Sequence, residues 1–580
     1  MSTVTSNDFF KNNVLGHPAG LFVLFFTEMW ERFSYYGMRA LLVLFLISSF
    51  TTGGWEWPEE NALALYGTYT SLVYLTTIMG GFLADKYLGY RWAVIIGAVL
   101  MTLGHASMAI ETPLFLYIGI GLLIFGNGFF KPNMTSIVSY MYKDHPEKKD
   151  GAYTIFYMGV NAGAFLGIML CGYIGEKVSW SWGFGLAGIF MFFGMLQFYF
   201  TQGIFGDIGL KPTAEQKLEK AKADDGDKRV PFTTFDLTLM VISLVLGLVW
   251  ILNDPYSKIS GNNLLNFEAF GLEGSSFTIL LGVGLFLILL VSRLSRYAKI
   301  TRDRLIAVTV FAFFTIFFWA SFEQAGGSMT IFAEKYTQRA LIGNTASVFK
   351  VINTLLTVIP LSIITFVLWK LFVQTFKKYP LGNMILGFSF AVIWGVVIWM
   401  LQREFSNDET VVAASWFGIL NSFFIIAFAP LISKIWESKF NPPAAIKYGV
   451  GLTLLGLGFA SLAYGASEIT NGVDIKVSMV WLILAYLFHT LGELCLSPVG
   501  LSYVSKLVPA RMIGIMFGIW YLAIAIGNKT AGTMGGMINQ ITEKYSLSTF
   551  FLIFTLVPIG LGLLVMLLHP LLKKLMHGVH

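Results

Sequence analysis

The sequence predicts an all-α integral membrane protein with about 16 transmembrane helices. The chain has 580 residues, of which 56% are hydrophobic and only 12% are charged. Soluble domains usually have about 25% charged residues. Apolar runs of about 20 residues, the length that spans ~30 Å of hydrocarbon, recur along the whole chain. We therefore expect the protein to lie in a lipid bilayer.

The apolar runs define the candidate spans in chain order, with boundaries uncertain by a few residues. They lie near 20–50, 63–84, 91–110, 113–141, 152–176, 182–204, 234–253, 276–297, 303–326, 346–374, 381–401, 411–436, 444–467, 477–506, 511–539 and 548–572.

Basic residues between the spans predict the orientation. If both termini are cytoplasmic, most loop Lys and Arg residues lie inside. The outside loops then hold Lys177, Lys258, Lys335, Arg339, Arg403, Lys476 and Lys544. The positive-inside rule thus predicts a protein of the plasma (cytoplasmic or inner) membrane with cytoplasmic termini. Because the basic residues are spread over short loops, we expect no nucleic-acid partner.

The order of the spans predicts two bundles. Residues 1–204 form an N-terminal six-helix bundle, and 205–302 hold a cytoplasmic linker and an inserted helix pair. Residues 303–580 form a C-terminal six-helix bundle with a further inserted pair at about 346–401. This arrangement is typical of the major facilitator fold, in which two bundles rock about a central site. No GxxxxGK[ST] phosphate loop is present, which argues against ATP-driven transport.

The first span carries unusual charge, in the stretch EMWERFSYYGMRA at 28–40. Positions 28, 32, 35 and 39 lie on one helix face. Each charge at the bilayer centre costs at least ~2.5–3.5 kcal/mol without compensation. A structural ion pair between Glu28 and Arg32 would leave Glu31 and Arg39 unexplained. We therefore interpret this face as part of a polar cavity in which carboxylates titrate and guanidinium groups bind an anion.

Further charges lie within the later spans. Among them are Lys131 in FGNGFFKPN, Glu323 in FFWASFEQAGGS, Glu493 in FHTLGELCLSPVG and Lys529 in AIAIGNKTAGTMGG. Acids and bases nearly balance, as expected of groups that pair across a cavity. Together they indicate a substrate with a positive and a negative end.

These motifs, in this order, resemble the proton-dependent oligopeptide transporter family of the major facilitator superfamily. The matches are ExxERFxYYG at 28–37, GGFLADKYLGYR at 80–91, GFFKPN at 128–133, FYMGVNAGAFLG at 156–167, FWASFEQ at 318–324, GELCLSPVGLS at 492–502 and FGIWYLAIAIGN at 517–528. The loop motif at 80–91 is shared by the whole superfamily, whereas the ExxER motif is specific.

The resemblance implies symport of di- and tripeptides with protons by alternating access. The energy source would be the proton gradient, with no cofactor, no metal and no catalytic residues, and the functional unit a monomer. The resemblance assigns the substrate carboxylate to Arg32, Arg39 and Lys131, and the substrate amine and backbone to Asn161, Asn421 and Glu493. It assigns the pocket walls to Tyr35, Tyr36, Tyr74, Trp319 and Trp520, and proton coupling to Glu28, Glu31 and Glu323. Salt bridges Arg39–Glu323 and Lys131–Glu493 would close the outer and inner gates.

Several alternatives stay open from the sequence. The asparagine of the site could be Asn353 or Asn421, and we favour Asn421 because its segment leads directly to the Glu493 region. Lys529 could extend outward or change the substrate range. His489 is more simply a structural histidine than a proton relay or metal ligand. The two inserted pairs carry few charges, so we expect them outside the transport pathway.

Other functions are less consistent with the sequence. An intramembrane enzyme would need a motif such as HExxH or a Ser/His dyad, and none is found. A channel fits the mixed-sign pocket less well than alternating access does. The alternative substrate is another anionic or amphoteric small solute, such as nitrate, a modified metabolite or a peptide-like drug.

Overall fold

The computed structural model confirms an all-α membrane architecture. It describes residues 9–11, 13–211, 230–439, 441–469, 475–508 and 512–579. The central part of the predicted linker, 212–229, lies outside these residues. Thirteen helices of the described chain are long and apolar enough to cross a membrane.

The first half of the chain forms helices at six of the predicted spans. They are α1 (Ala19–Ile47), α2 (Glu59–Leu83), α3 (Tyr90–Met108), α4 (Pro113–Met141), α5 (Pro146–Lys177) and α6 (Trp180–Thr201). The first inserted pair is α7 (Thr234–Ser260) and α8 (Gly274–Leu294).

The second half begins with a helix that is interrupted inside the membrane. The elements of the second half are α9 (Lys299–Phe322), a 3-10 turn (Glu323–Gly326), α10 (Ser328–Tyr336), α11 (Asn344–Thr375), α12 (Pro380–Phe405), a 3-10 turn (Ala414–Gly418), α13 (Ile419–Glu437), α14 (Ala444–Ala466), α15 (Val480–Leu507), α16 (Ile513–Gly536), α17 (Ile538–Lys544), α18 (Leu547–Leu567) and α19 (His569–Leu575).

Short antiparallel ladders lie between some of the helices. The strands are β1 (Asn13–Val14) with β2 (His17–Pro18), β3 (Glu268–Ala269) with β4 (Leu272–Glu273), and β5 (Ala340–Leu341) with β6 (Thr410–Val411).

The helix ends follow local chemistry. Proline occupies the first turn of α4, α5 and α12, where its missing N–H removes no helical hydrogen bond. The inserted helix α7 begins with a capping box, in which Thr233 and Asp236 each bind the other's backbone N–H. It ends at Gly261, whose positive φ of 73° suits a residue without a side chain.

The helices pack as two bundles with the inserted pairs on the outside. In the first half α1 packs on α5 and α6, and α4 packs on α2 and α3. In the second half α14 packs on α15 and α18, and α9 packs on α16. Helices α7 and α8 pack on each other and α7 also packs on α2, whereas α11 and α12 pack on each other and α12 also packs on α6. The domain boundaries at 204 and 303 stay a prediction.

The helix array has two faces, a basic face and an opposite face. The basic face is where α1 begins at Ala19 and α2 ends at Leu83. The opposite face is where α1 ends at Ile47 and α2 begins at Glu59.

Helices α1 and α5 approach each other through glycine. A Cβ atom added to Gly167 would overlap the backbone carbonyl of Phe33 on α1. Without side chains between them the two backbones come into direct contact, as is common where membrane helices pack. This contact fixes α1, which carries most of the charged motif.

We predict opposite effects of alanine at two helical glycines. Gly167→Ala forces α1 from α5 and should lower the unfolding temperature, since overpacking costs ~1–3 kcal/mol. Gly121→Ala is the matched control on α4, because an added Cβ there has nothing within 4 Å. Alanine should be neutral or stabilising at that position. Fluorescence-detected thermal unfolding of both variants measures this, and equal unfolding temperatures would contradict the packing argument.

Candidate functional site

A cavity lies between the two bundles. It has about 920 Å³ of atom-free space, including its open mouth. Its wall combines aromatic side chains with both signs of charge, in Arg39, Glu323 and Glu493. Other lining side chains include Tyr35, Tyr36, Tyr74, Trp319, Asn421, Tyr486 and His489. Such a cavity can hold an amphoteric molecule of variable shape, since few polar groups orient it and aromatic walls adapt.

At one end of the cavity Arg39 and Glu323 form a salt bridge. The break between α9 and α10 places Glu323 in a 3-10 turn inside the membrane. The Arg39 Nη2 to Glu323 Oε2 distance is 2.6 Å, and Glu323 is only 3% exposed. Arg39 comes from the first bundle and Glu323 from the second, so this charge-assisted hydrogen bond joins the bundles.

Tyr66 completes this pair, and the sequence analysis missed it. Its hydroxyl accepts a hydrogen bond from Arg39 Nε at 2.7 Å and donates to Glu323 Oε2 at 3.1 Å. Tyr66 also lies against Gly326, where an added Cβ would overlap its hydroxyl. The sequence could have indicated Tyr66 by its position on α2, because it lies about two helical turns before Tyr74 and thus near the same face of the helix.

Glu493 and Asn421 form a second polar group on the cavity wall. Asn421 Nδ2 donates to Glu493 Oε2 at 3.0 Å and lies 3.1 Å from Thr490 Oγ1. Of the two asparagines considered from the sequence, Asn421 therefore lines the cavity. Asn353 lies on the inserted helix α11. The arrangement leaves a carboxylate and an amide facing the cavity.

The charged motif of α1 forms a buried network next to the cavity. Arg32 Nε lies 2.8 Å from Glu28 Oε1 and 2.9 Å from Glu31 Oε2, and Asn127 donates to Glu31 Oε1 at 2.9 Å. Among the described residues, Glu28 Oε2 has no hydrogen-bond partner although it is buried. The Arg32 guanidinium lies 5.9 Å from the ring centre of Tyr35, which separates this network from the cavity.

The structure does not bring Lys131 and Glu493 together. The ammonium group of Lys131 lies 4.3 Å from the ring centre of Tyr74, and Glu493 bonds to Asn421 instead. In this conformation the second predicted gate is thus open, and its closure stays a prediction.

Two further predicted site residues lie away from the cavity wall. Asn161 is buried and donates to the carbonyl of Tyr157 at 3.0 Å. Trp520 is 3% exposed and packs beside Gly500. Neither is among the lining residues in this conformation.

His489 lines the cavity, with its ring 4.5 Å from that of Phe459. No cluster of metal-binding side chains occurs in the part of the chain that the structure describes.

The bundles contact each other at the opposite face. Glu59 of α2 accepts from Lys335 and Asn539, two residues of the second bundle. Gly67 of α2 lies directly on Gly532 of α16. Together with the Arg39–Glu323 pair, these contacts close the cavity at the opposite face.

Two bundles around a mixed-charge cavity define a secondary transporter of the major facilitator fold. The family model described as "PTR2: POT family" matches residues 91–222 and 393–551. The chain is 30% identical over 533 residues to the "Peptide transporter YePEPT" of Yersinia enterocolitica, covering 90% of this chain and 88% of that protein. It is 28% identical over 576 residues to the "Di-/tripeptide transporter" of Lactococcus lactis, covering 98% of both.

Solved structures agree with this result. A crystal structure of a peptide transporter POT in complex with sulfate has a TM-score of 0.70 and 29% sequence identity, covering 98% of this chain and 97% of that one. The chain therefore belongs to the POT family and is an integral membrane protein.

We predict that Tyr66→Phe loosens the closed opposite face. The variant loses two hydrogen bonds to charged groups, each worth ~1.5–3 kcal/mol. The cavity residue Ala325, changed to cysteine, should then react at least about tenfold faster with a membrane-impermeant thiol reagent added at the opposite face. Both native cysteines are buried, so the background reaction should be low.

Tyr448→Phe is the matched control, since Tyr448 is a buried tyrosine whose hydroxyl lies 3.3 Å from Thr315 within the second bundle. This variant should keep the parent rate of labelling. An unchanged rate in Tyr66→Phe would show that Tyr66 does not hold the pair.

Proposed function

We propose that this protein is a proton-coupled symporter of di- and tripeptides that works by alternating access. One observation carries the proposal: a single cavity between the bundles has Arg39 on its wall together with the Glu493–Asn421 pair. The names of the related peptide and di-/tripeptide transporters support it. We place the protein in the plasma (inner) membrane as a monomer with cytoplasmic termini, driven by the proton gradient without a cofactor.

The cavity chemistry suits a short peptide. A peptide is a zwitterion with a constant backbone and variable side chains. Its carboxylate matches the guanidinium of Arg39, with Lys131 nearby on α4, and its ammonium group matches Glu493 and Asn421. Tyr35, Tyr36, Tyr74 and Trp319 supply apolar walls that accept different side chains.

Proton coupling follows from competition for Arg39. A substrate carboxylate that binds Arg39 displaces Glu323 from its cation. A carboxylate left in a low-dielectric site without a partner is costly, and taking up a proton removes the charge. Glu323 then no longer holds the bundles together at the opposite face. In this scheme Glu28 and Glu31 are further proton carriers, buried beside Arg32.

The conformation corresponds to the inward-facing state under this proposal. The basic face, which carries most loop Lys and Arg residues, is the cytoplasmic side by the positive-inside rule. The contacts at the opposite face then close the path to the outside, while the unpaired Lys131 and Glu493 leave the inner gate open.

Uptake of labelled dialanine into proteoliposomes tests the function. An inward proton gradient should drive accumulation, and an uncoupler should abolish it. Tripeptides should compete, whereas free alanine and tetra-alanine should not. Failure of several di- and tripeptides to enter under the gradient would overturn the proposal and favour another anionic or amphoteric solute. A chemically altered substrate would instead indicate an enzyme.

We predict that Glu323→Gln separates exchange from accumulation. The glutamine keeps the size of the side chain but can neither hold a proton nor form the ion pair. Counterflow of dialanine should continue, whereas accumulation under the gradient should fall to the uncoupled level. Glu268→Gln, at an exposed acid of the loop between α7 and α8, is the control and should behave as the parent does. Accumulation by Glu323→Gln would remove Glu323 from its assigned role.

We also predict that Glu493→Gln affects recognition of the amino terminus. A hydrogen bond between charged groups contributes ~1.5–3 kcal/mol, so the KM for dialanine should rise about tenfold or more. N-acetyl-dialanine lacks the ammonium group, and its weak inhibition should not change. Competition assays with both compounds measure this. Equal losses for both would mean that Glu493 does not bind the amine.

A further inference from the structure

The proposed transport site does not use Lys529, an intramembrane charge on α16. Lys529 is 1% exposed and is not among the residues that line the cavity. It therefore neither extends outward nor adds a charge to the substrate site, which were the two expectations from the sequence. Its ammonium group instead pairs with Asp254 on the inserted helix α7 and donates to Thr68 Oγ1 on α2 at 2.9 Å.

Helix α7 is also attached to the first bundle by charge. Asp254 Oδ1 lies 3.1 Å from Lys258 Nζ one turn further on, and the same ammonium group lies 3.1 Å from Glu60 Oε1 on α2. The two oxygens of Asp254 thus bind different lysines, one from its own helix and one from α16.

A proline in α7 allows a further contact, between α7 and Thr68 of α2. Pro255 has no N–H, so the carbonyl of Ile251 four residues earlier cannot form its usual helical hydrogen bond. Thr68 Oγ1 donates to this carbonyl at 3.1 Å. The Thr68 hydroxyl therefore accepts from Lys529 and donates to α7, which joins α2, α7 and α16 at one point.

This junction lies beside a direct glycine contact between the two bundles. Thr68 follows Gly67, which lies on Gly532 of α16. Helix α2 belongs to the first bundle and α16 to the second, so opening of the opposite face must separate them. Helix α7 is attached to α2 through Glu60 and Thr68, but to α16 through Lys529.

We propose that the first inserted helix pair is a clamp on the opposite face, formed by Glu60, Thr68, Asp254, Lys258 and Lys529. The Asp254–Lys529 bond breaks when α16 moves away from α2, and α7 remains with the first bundle. This inference rests on the alternating access of the proposed function. Separation leaves Lys529 without its carboxylate, and an unpaired cation in apolar surroundings is strongly unfavourable. The clamp therefore lowers the population of the state that is open at the opposite face and sets how readily the transporter turns outward.

Two variants test the clamp without removing the fold. Lys529→Met deletes the buried cation, and Asp254 keeps Lys258 as its partner. Asp254→Asn removes the charge partner of Lys529. Arg296→Gln is the matched control: Arg296 binds Asp236 at 2.8 Å, an ion pair that joins α7 to the residues just after α8 and does not link the two bundles.

Electron spin resonance distances between the bundles give the readout. Spin labels are placed at Phe50→Cys and Tyr545→Cys, which are exposed positions on the opposite face of the first and second bundle. The protein is the full chain in lipid nanodiscs without substrate. Lys529→Met should increase the long-distance population at least fivefold, and Arg296→Gln should keep the parent distribution. Asp254→Asn should shift the distances in the same direction as Lys529→Met.

A parent-like distribution in Lys529→Met would overturn the clamp, and so would an equal shift in Arg296→Gln. If Asp254→Asn fails to fold, Lys529→Met alone decides. The distances need no peptide, so a failure of dialanine uptake and a failure of the clamp are separate results.

Discussion

The salt bridge between Arg39 and Glu323 is the interaction on which the architecture depends. It joins one charge from each bundle inside the membrane, where neither is stable alone. Tyr66 binds both partners, and the interruption of α9 brings Glu323 to them. A pair that is stable when closed and costly when opened gives the two bundles discrete arrangements. Binding of a competing anion or a proton can then shift the equilibrium between these two arrangements.

The polar side chains described above lie in three regions with different surroundings. The cavity carries Arg39, Glu323 and Glu493, which can reach a substrate. The network of Glu28, Glu31 and Arg32 is buried and lies behind Tyr35, which separates it from the cavity. The clamp lies where α7 meets α2 of the first bundle and α16 of the second. We propose that the Arg39–Glu323 pair couples substrate and proton, and that the clamp adjusts the balance between conformations.

The sequence predicted the fold well because each membrane span is a local signal. A run of apolar residues must be helical in lipid, where every backbone polar group needs an internal partner. Intramembrane charges were equally visible, because each is costly. The Arg39–Glu323 pair was expected from the family resemblance, and the structure places the two side chains in contact.

Side-chain partners far apart in the chain were harder to predict. Tyr66 looks like an ordinary aromatic residue of an apolar helix, and only its contact with Arg39 and Glu323 distinguishes it. Asp254 lies near the end of an inserted helix that the sequence predicts to be outside the transport pathway. The partner of Lys529 could therefore not be identified from the sequence. Periodicity gives the face of a helix but not its rotation in the bundle. Lys131 and Trp520 depend, in addition, on which conformation the bundles adopt.

We propose that one zwitterionic peptide and a proton move together through the cavity. The most direct test uses proteoliposomes that contain a pH-sensitive dye and have a negative internal potential. Addition of dialanine should acidify the interior, and N-acetyl-dialanine amide, which has neither end charge, should leave the pH unchanged. Entry of dialanine without acidification, or equal acidification by both compounds, would contradict proton-coupled transport of a zwitterionic peptide.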